Sequence, residues 1–450
     1  MLWLVLGLAG IGIYWAGRGR PAGLWEGRLG LGLAVVGWLL HAASAATWPW
    51  ELGAVASYCM VLQWGGMGQR PAVQPLQPEE MTRLQGCFPW TLYYLQQVEY
   101  HPQGLICRGQ LRTPADTAYE SIAANIRQQF GQRFWVRLQQ GQDEKPFFAL
   151  VPNPQGELRQ RLRPTSQEWN TLAMLLLTTA LTTSLVGAQL ADFDLSRRDL
   201  GFIPAGLPYS LALLAILLSH ELGHFATAWF YGVRASLPYF IPFPWLPGTL
   251  GAYVRMHTPI PHRRALFDIA LAGPVVGLAV SLPLLVWGLL HSAPVAPAGP
   301  GFSLSPEHFT PQVSTLLAGI TRLVLGAQTT SALHLHPIAV AGCIGLAVTA
   351  FNLLPIGRLD GGHLIHAMVG QRPAATIGIL TKWLLLILAW IRQPWLFLGV
   401  ILLFLVPSLD EPALNDVTDL DHRRDALGLV ALAGLILLLL PAPTFLLGGS

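Results

Sequence analysis

The chain has 450 residues, of which 52% are hydrophobic and only 11% charged, with a mean hydropathy of +0.47. Soluble domains carry about 25% charged residues, so these figures exclude a disordered chain, a disulfide scaffold and a single water-soluble globule, and leave a multi-span membrane protein. A formal charge of +3, with Arg residues scattered between apolar blocks, points to the lipid bilayer and to no nucleic acid as partner.

In chain order, the apolar segments Leu2–Ala16, Leu29–Ala46 and, more weakly, Gly53–Gly68 read as N-terminal transmembrane helices within residues 1–69. Met1–Ala16 has no basic lead-in and runs into Arg18 and Arg20 where a signal peptide would place small residues, so it is predicted to be a retained span. No Ser-rich, acid-poor transit segment is visible, which favours a bacterial source.

Residues 70–168 are polar and form a soluble domain. There Thr91–Tyr100 and Leu105–Leu111 are predicted to pair across a His-Pro-Gln-Gly turn, and Phe134–Gln139 with Phe147–Val151 to form a second pair. The helix between them places Tyr119, Ile122, Ile126 and Phe130 on one face, a packed core rather than a cofactor box, and Thr113, Pro114 and Asp116 supply its start signal. The domain is thus a ββαββ module. The four cysteines lack CxxC spacing; a Cys87–Cys107 bridge is one reading and reduced core thiols the other.

Residues 169–447 hold the further spans Leu172–Leu190, Phe202–Phe230, Ala265–Leu290, Ile338–Pro355, Ala374–Ile391, Trp395–Val406 and Leu427–Leu440. Pro294–Pro311 reads as a loop outside the bilayer. With the soluble domain in the cytoplasm, its Arg residues and Arg255, Arg263, Arg264, Arg423 and Arg424 share one side and obey the positive-inside rule, with Arg197 and Arg198 the exception.

Within Phe202–Phe230 stand His220, Glu221 and His224, ionisable groups in a segment where each is expensive unless something satisfies it. Four-residue spacing puts both imidazoles on one helical face, able to share a tetrahedral Zn²⁺, and turns Glu221 by about 100° towards general-base work. With 13 His in the chain, an HExxH run arises by chance on the order of 0.01 times per such sequence. A catalytic zinc needs a third ligand. The run Asn352 to His363 supplies one, because Pro355 and Gly357 break the helix where Asp360 could reach inward. By itself Asp360-Gly361-Gly362 is only a turn signal.

The two motifs, HELGH at 220–224 and NLLPIGRLDGG at 352–362, resemble the hallmarks of the site-2 protease family of intramembrane zinc metalloproteases, with Leu353 where the family usually has Pro. The resemblance implies His220, His224 and Asp360 as zinc ligands, Glu221 as catalytic base and Asn352 as a substrate or oxyanion donor. Ala272–Gly277 resembles the family's Gly-rich packing segment, and Leu237–Arg264, strand-like at Thr249–Met256, its re-entrant hairpin. The ββαββ module, Gly248–Ala252, Phe267–Pro274 and Asn415-Asp416-Val417-Thr418 are similar to the subgroup named ethylene-dependent gravitropism-deficient and yellow-green and its cyanobacterial relatives.

The implied fold is an all-α polytopic site-2 protease core of about nine or ten spans, with a re-entrant hairpin and the small α+β domain inserted. The implied function is zinc-dependent hydrolysis of peptide bonds in or near transmembrane segments of single-span membrane proteins, in a bacterial, cyanobacterial-like plasma or thylakoid membrane. A polar cavity lined by Asn352, Arg358 and His363 would admit water. His257, His262, His363 and His366 are expected as interfacial or capping groups, and Asp268 as an ordinary helix-start carboxylate. Two alternatives are a non-proteolytic zinc-binding scaffold of the same fold and a membrane transporter, which would be expected to show repeat symmetry.

Overall fold

The computed structural model describes residues 76–101, 104–141, 145–153, 166–194, 200–243, 246–295, 306–326, 332–391 and 406–442. The segments expected to span within residues 1–69, and nearly all of Trp395–Val406, lie outside the described residues.

The polar stretch opens with α1 (Pro78–Gly86), followed by β1 (Tyr93–His101), β2 (Gly104–Leu111), α2 (Ala115–Phe130), β3 (Phe134–Gln140) and β4 (Pro146–Pro152). The strands form one antiparallel sheet in the order β1-β2-β4-β3. Alternation sends Leu105 and Cys107 of β2, Val136 and Leu138 of β3, and Phe148 and Leu150 of β4 into a core closed by Ala118, Ile122 and Ile126 of α2. Cys87 and Cys107 are free, buried thiols, so the reduced reading holds. Burial, helped by the neighbouring Cys87, pushes the Cys107 thiol up to about 12.

The start of α2 departs from expectation. Thr113 does not cap it: its hydroxyl is buried without a partner among the described residues, and Pro114 occupies the N-cap position. Asp116 does not close a capping box either, because its carboxylate accepts hydrogen bonds from Asn415 Nδ2 at 3.0 Å and Thr418 Oγ1 at 2.5 Å. A tertiary contact some three hundred residues away in sequence has taken the capping group.

The apolar part comprises α3 (Ser166–Leu190), α4 (Phe202–Phe230), β5 (Tyr239–Pro242), β6 (Thr249–Tyr253), α5 (Arg263–Leu290), β7 (Ala293–Val295), α6 (Thr315–Leu325), β8 (Ala332–His334), α7 (Pro337–Asn352), α8 (Asp360–Val369), α9 (Gln371–Ile391) and α10 (His422–Leu439). Among the described residues, three helices are long and apolar enough to cross a membrane: Glu168–Leu190, Phe202–Phe230 and Arg263–Leu290. They meet through small residues. A Cβ on Gly206 would run into the Ser184 backbone, and one on Gly223 would sit 2.6 Å from the Ala272 carbonyl oxygen. In lipid, where apolar surface gains nothing by association, such close backbone approach supplies the packing that holds helices together. Helix α6 was not expected from the sequence; at 11 residues it is too short to register as a span, and Ser314 caps it.

Two irregular segments bring the chain to the site. The hairpin β5–β6 is tied to the helices where Thr182 Oγ1 donates to the Gly248 carbonyl at 2.7 Å and Tyr209 Oη to that of Pro247 at 2.6 Å. Between α7 and α8 the backbone turns through residues 353–359, with Gly357 at φ 46°. A side chain there would be strained and would strike the Pro407 carbonyl, so glycine is required twice over.

Candidate metal centre

His220, Glu221 and His224 lie mid-helix in α4, only 3%, 5% and 8% exposed. One helical turn brings the two rings face to edge, with centroids 4.9 Å and Nε2 atoms 3.2 Å apart. The turn after α7 delivers Asp360 to the same point: its Oδ2 lies 3.3 Å from His220 Nε2 and 3.4 Å from His224 Nε2. The three side chains offer ligand atoms all within 4.8 Å of one another.

Do these groups fit a cation? His224 Nδ1 lies 2.7 Å from the Ile269 carbonyl, which can only accept, so the ring proton sits on Nδ1 and Nε2 presents a bare lone pair. Asp360 Oδ2, the atom both rings face, is buried and receives no hydrogen bond from the described residues. The Asn352 amide faces His220 Nε2 at 3.2 Å, which leaves the lone pairs of His224 Nε2 and Asp360 Oδ2 facing each other; such a pair repels and is costly in a buried site. A divalent cation resolves this, and a two-imidazole, one-carboxylate set with an open fourth position is the donor chemistry of catalytic zinc.

Helix α5 is shaped around these rings. A Cβ on Gly273 would fall on the His224 ring, and one on Gly277 would lie 2.9 Å from His220 Nδ1. Pro274 lacks the N–H that would bind the Ala270 carbonyl, loosening the α5 turn beside Ile269. The Ala272–Gly277 run therefore does more than pack helices; its glycines leave room for the imidazoles.

Asn352, the last residue of α7, places Nδ2 3.2 Å from His220 Nε2. Glu221 is buried next to His220, close enough to feel both rings and Asp360, and the backbone N–H of Val254, just past β6, faces its carboxylate. The structure thus gathers His220, Glu221, His224, Asn352 and Asp360 around one point. It does not bring in Arg358, which pairs with Glu411 at 3.1 Å with more than half of its side chain exposed. Nor does His363 line a cavity with Asn352; its Nδ1 donates to Asp410 Oδ2 at 2.7 Å. The expected three-residue cavity lining is corrected on both counts, because the Gly357 turn sends its neighbours outward to the segment 406–421.

His262 caps α5 by accepting from the Ala265 N–H at 3.1 Å, and His257 lies 3.9 Å from Glu168. Asp268 is more than a helix-start carboxylate. It accepts two hydrogen bonds from Arg424, at 2.7 and 2.6 Å, and one from Tyr231 Oη at 2.5 Å, joining α10, α5 and the end of α4. The signal was present in the sequence, since an acid in so apolar a segment needs a partner.

Residues 208–389, which contain all five clustered side chains, match peptidase family M50. Over this stretch the chain is similar to peptidase family M50. The resemblance to the site-2 protease family and to its ethylene-dependent gravitropism-deficient and yellow-green subgroup holds, and the M50 cofactor is Zn²⁺. Residues 82–158 match a second family, described as the EGY3 middle domain. Over 245 residues the chain is 38% identical to the probable zinc metalloprotease EGY1, chloroplastic, of Arabidopsis thaliana, covering 53% of this chain and 44% of that protein. It is 27% identical over 364 residues to the probable zinc metalloprotease EGY2, chloroplastic, of Oryza sativa subsp. indica, covering 79% and 65%. It is 26% identical over 376 residues to the probable zinc metallopeptidase EGY3, chloroplastic, of Arabidopsis thaliana, covering 78% and 63%. The chain thus spans less than half the length of the EGY1 relative. No solved structure matches.

These relatives overturn one expectation. The bacterial, cyanobacterial-like plasma or thylakoid membrane, with the soluble domain and active site towards the cytoplasm, is not supported, because the similar proteins are chloroplastic plant proteins. That expectation leaned on the N-terminal residues, and a targeting segment is an address separable from the folded core.

Proposed function

We propose that this chain is a zinc metalloendopeptidase that hydrolyses peptide bonds in or beside transmembrane segments of membrane proteins. The observation that carries the reading is the convergence of Asp360 Oδ2, to which no described residue donates, on His220 and His224, which lie inside a helix apolar enough to cross a membrane. In this reading residues 1–69 are N-terminal spans, 70–168 a soluble domain and 169–447 the protease core, about nine or ten spans in all. The substrates are single-span proteins in the same bilayer.

His220, His224 and Asp360 would hold the zinc, which when bound supplies Lewis-acid polarisation of the scissile carbonyl and acidifies a water. Ile269 keeps His224 in the tautomer that leaves Nε2 free. Glu221 accepts the proton from the attacking water on its carboxylate and passes it to the leaving amine, a general-base role worth about 10²–10⁴ in rate. Asn352, an amide donor beside His220, is placed to stabilise the developing oxyanion. A helical amide is shielded by its own hydrogen bonds, so the substrate must unwind. The hairpin β5–β6, two-stranded and in contact with Glu221 through Val254, offers a strand edge to which an unwound segment can add.

The test uses the full chain in liposomes with a single-span reporter. Wild type should cleave it, and Glu221→Gln should keep stoichiometric zinc and capture the reporter uncleaved. Cleavage by Glu221→Gln at the wild-type rate would sink the assignment. Zinc binding without turnover of any membrane peptide would favour the scaffold reading.

A further inference from the structure

Asp360 sits at the first position of α8, a helix of 10 residues whose N-cap, Leu359, makes no capping hydrogen bond. Something else must hold this short helix at the right distance from α4. Residues 406–421 run across it as a strap with contacts on both sides.

On one side the strap grips the Asp360 helix. Asp410 Oδ2 accepts from His363 Nδ1 at 2.7 Å and from His366 Nδ1 at 2.6 Å, and the Asp410 carbonyl accepts from Gln371 Nε2 at 2.8 Å. His366, fully buried, turns its other nitrogen to Asp416, with Nε2 3.0 and 3.1 Å from the two carboxylate oxygens. Both ring nitrogens face acceptors, so both carry protons and His366 is an imidazolium clamped between two buried carboxylates. Lys382 anchors the strap's start through the Val406 carbonyl at 2.6 Å and Ser408 Oγ at 2.8 Å.

On the other side the same residues dock the sheet domain. The Leu138 N–H of β3 donates to the Leu414 carbonyl at 2.7 Å, and the Asp416 N–H donates to the Leu138 carbonyl at 2.9 Å, so the strap adds to the sheet edge. Asn415 and Thr418 hold Asp116, and Val417 packs against the sheet domain's core. The N–H groups of Leu414 and Asn415 also bind the Ile260 and Pro261 carbonyls, at 2.8 and 2.9 Å, just ahead of α5. Asp416 thus has its backbone on β3 and its carboxylate on α8. The sheet domain cannot shift at this edge without moving the partner of His366.

We propose that Asp410, Asp416 and His366 are positioning residues for Asp360, and that docking of the sheet domain through Asn415, Thr418 and Asp116 sets the geometry of the metal ligands. The proposal rests on the metal site described above and not on turnover. Buried ion pairs are costly to desolvate and are weak devices for stability alone, while they specify one arrangement well. Residues that orient a ligand from outside the coordination sphere typically change metal affinity by about 10–100-fold when removed.

The experiment is chelator competition for zinc, with the visible spectrum of the Co²⁺-substituted full chain in detergent or nanodiscs. Asp410→Asn, which keeps the shape and removes the charge, should weaken zinc about tenfold and perturb the Co²⁺ bands, with Asp410→Glu recovering part of the loss. Asp116→Ala, which touches nothing in the metal site, should move both readouts in the same direction by less. If Asp410→Asn does not fold, Asp116→Ala decides. Wild-type zinc affinity and an unchanged Co²⁺ spectrum in a folded Asp116→Ala chain would overturn the coupling. Both readouts are taken without substrate, so a failure of the protease reading leaves them interpretable.

Discussion

Two clusters of histidine and aspartate lie one beside the other, both served by α8. At one end His220, His224 and Asp360 converge, and Asp360 Oδ2 receives no hydrogen bond from the described residues. At the other, His363 Nδ1 and both ring nitrogens of His366 each set an N–H against a carboxylate oxygen of Asp410 or Asp416, and each carboxylate has a partner. The residue types are the same and only the direction of the lone pairs differs. A metal site is a polar cluster that its own protein leaves unsatisfied; a latch is one that closes on itself. On the strap, burial opposes ionisation of Asp410, but the His363 and His366 imidazoles win and hold its carboxyl below the ordinary carboxylate range.

The comparison can be broken by substitution, and the largest effect falls on the unsatisfied cluster. His224→Ala or Asp360→Ala should abolish stoichiometric zinc, measured by metal analysis after dialysis, whereas His363→Ala should retain it with lowered affinity. Equal zinc content in the two classes of variant would erase the distinction. Next comes Gly273→Ala, whose methyl would fall on the His224 ring. It should weaken zinc by more than Gly277→Ala, whose methyl meets His220 Nδ1 at a less severe 2.9 Å. The reverse order would mean that α5 yields more readily than its packing suggests. Asp268→Asn leaves Arg424 with Asp421 as its remaining charged partner and should lower thermal stability by about 1–3 kcal/mol while zinc affinity stays within about twofold. The smallest effect concerns the sheet domain. Cys107, with its thiol pushed up to about 12, should resist alkylation at pH 8 in the folded chain and react on unfolding, as mass spectrometry would show.

Much of the site was legible because its chemistry is local. HExxH needs only helical periodicity to bring His220 and His224 together, and α4 has the expected bounds Phe202–Phe230. Asp360 was legible because a helix broken by Pro355 and Gly357 must turn somewhere, and an acid at the turn has few places to go. The partners of Arg358, His363 and Asp268 were not legible, since each lies more than 45 residues away: Glu411, Asp410 and Arg424 respectively. The helix-capping reading of Asp116 failed for the same reason: a local rule lost to Asn415 and Thr418.

The sequence by itself determined that this chain lives in lipid, that it carries a His-Glu-His helix there, and that a polar stretch separates its apolar blocks. These follow from composition and periodicity, which act over a few residues. Only the tertiary structure decided which polar groups are left facing one another without donors, which glycines make room for imidazoles, and that residues 406–421 join the sheet domain to the Asp360 helix. Those depend on distances between segments far apart in the chain, and in a bilayer each buried polar atom must find its partner there or bind something else.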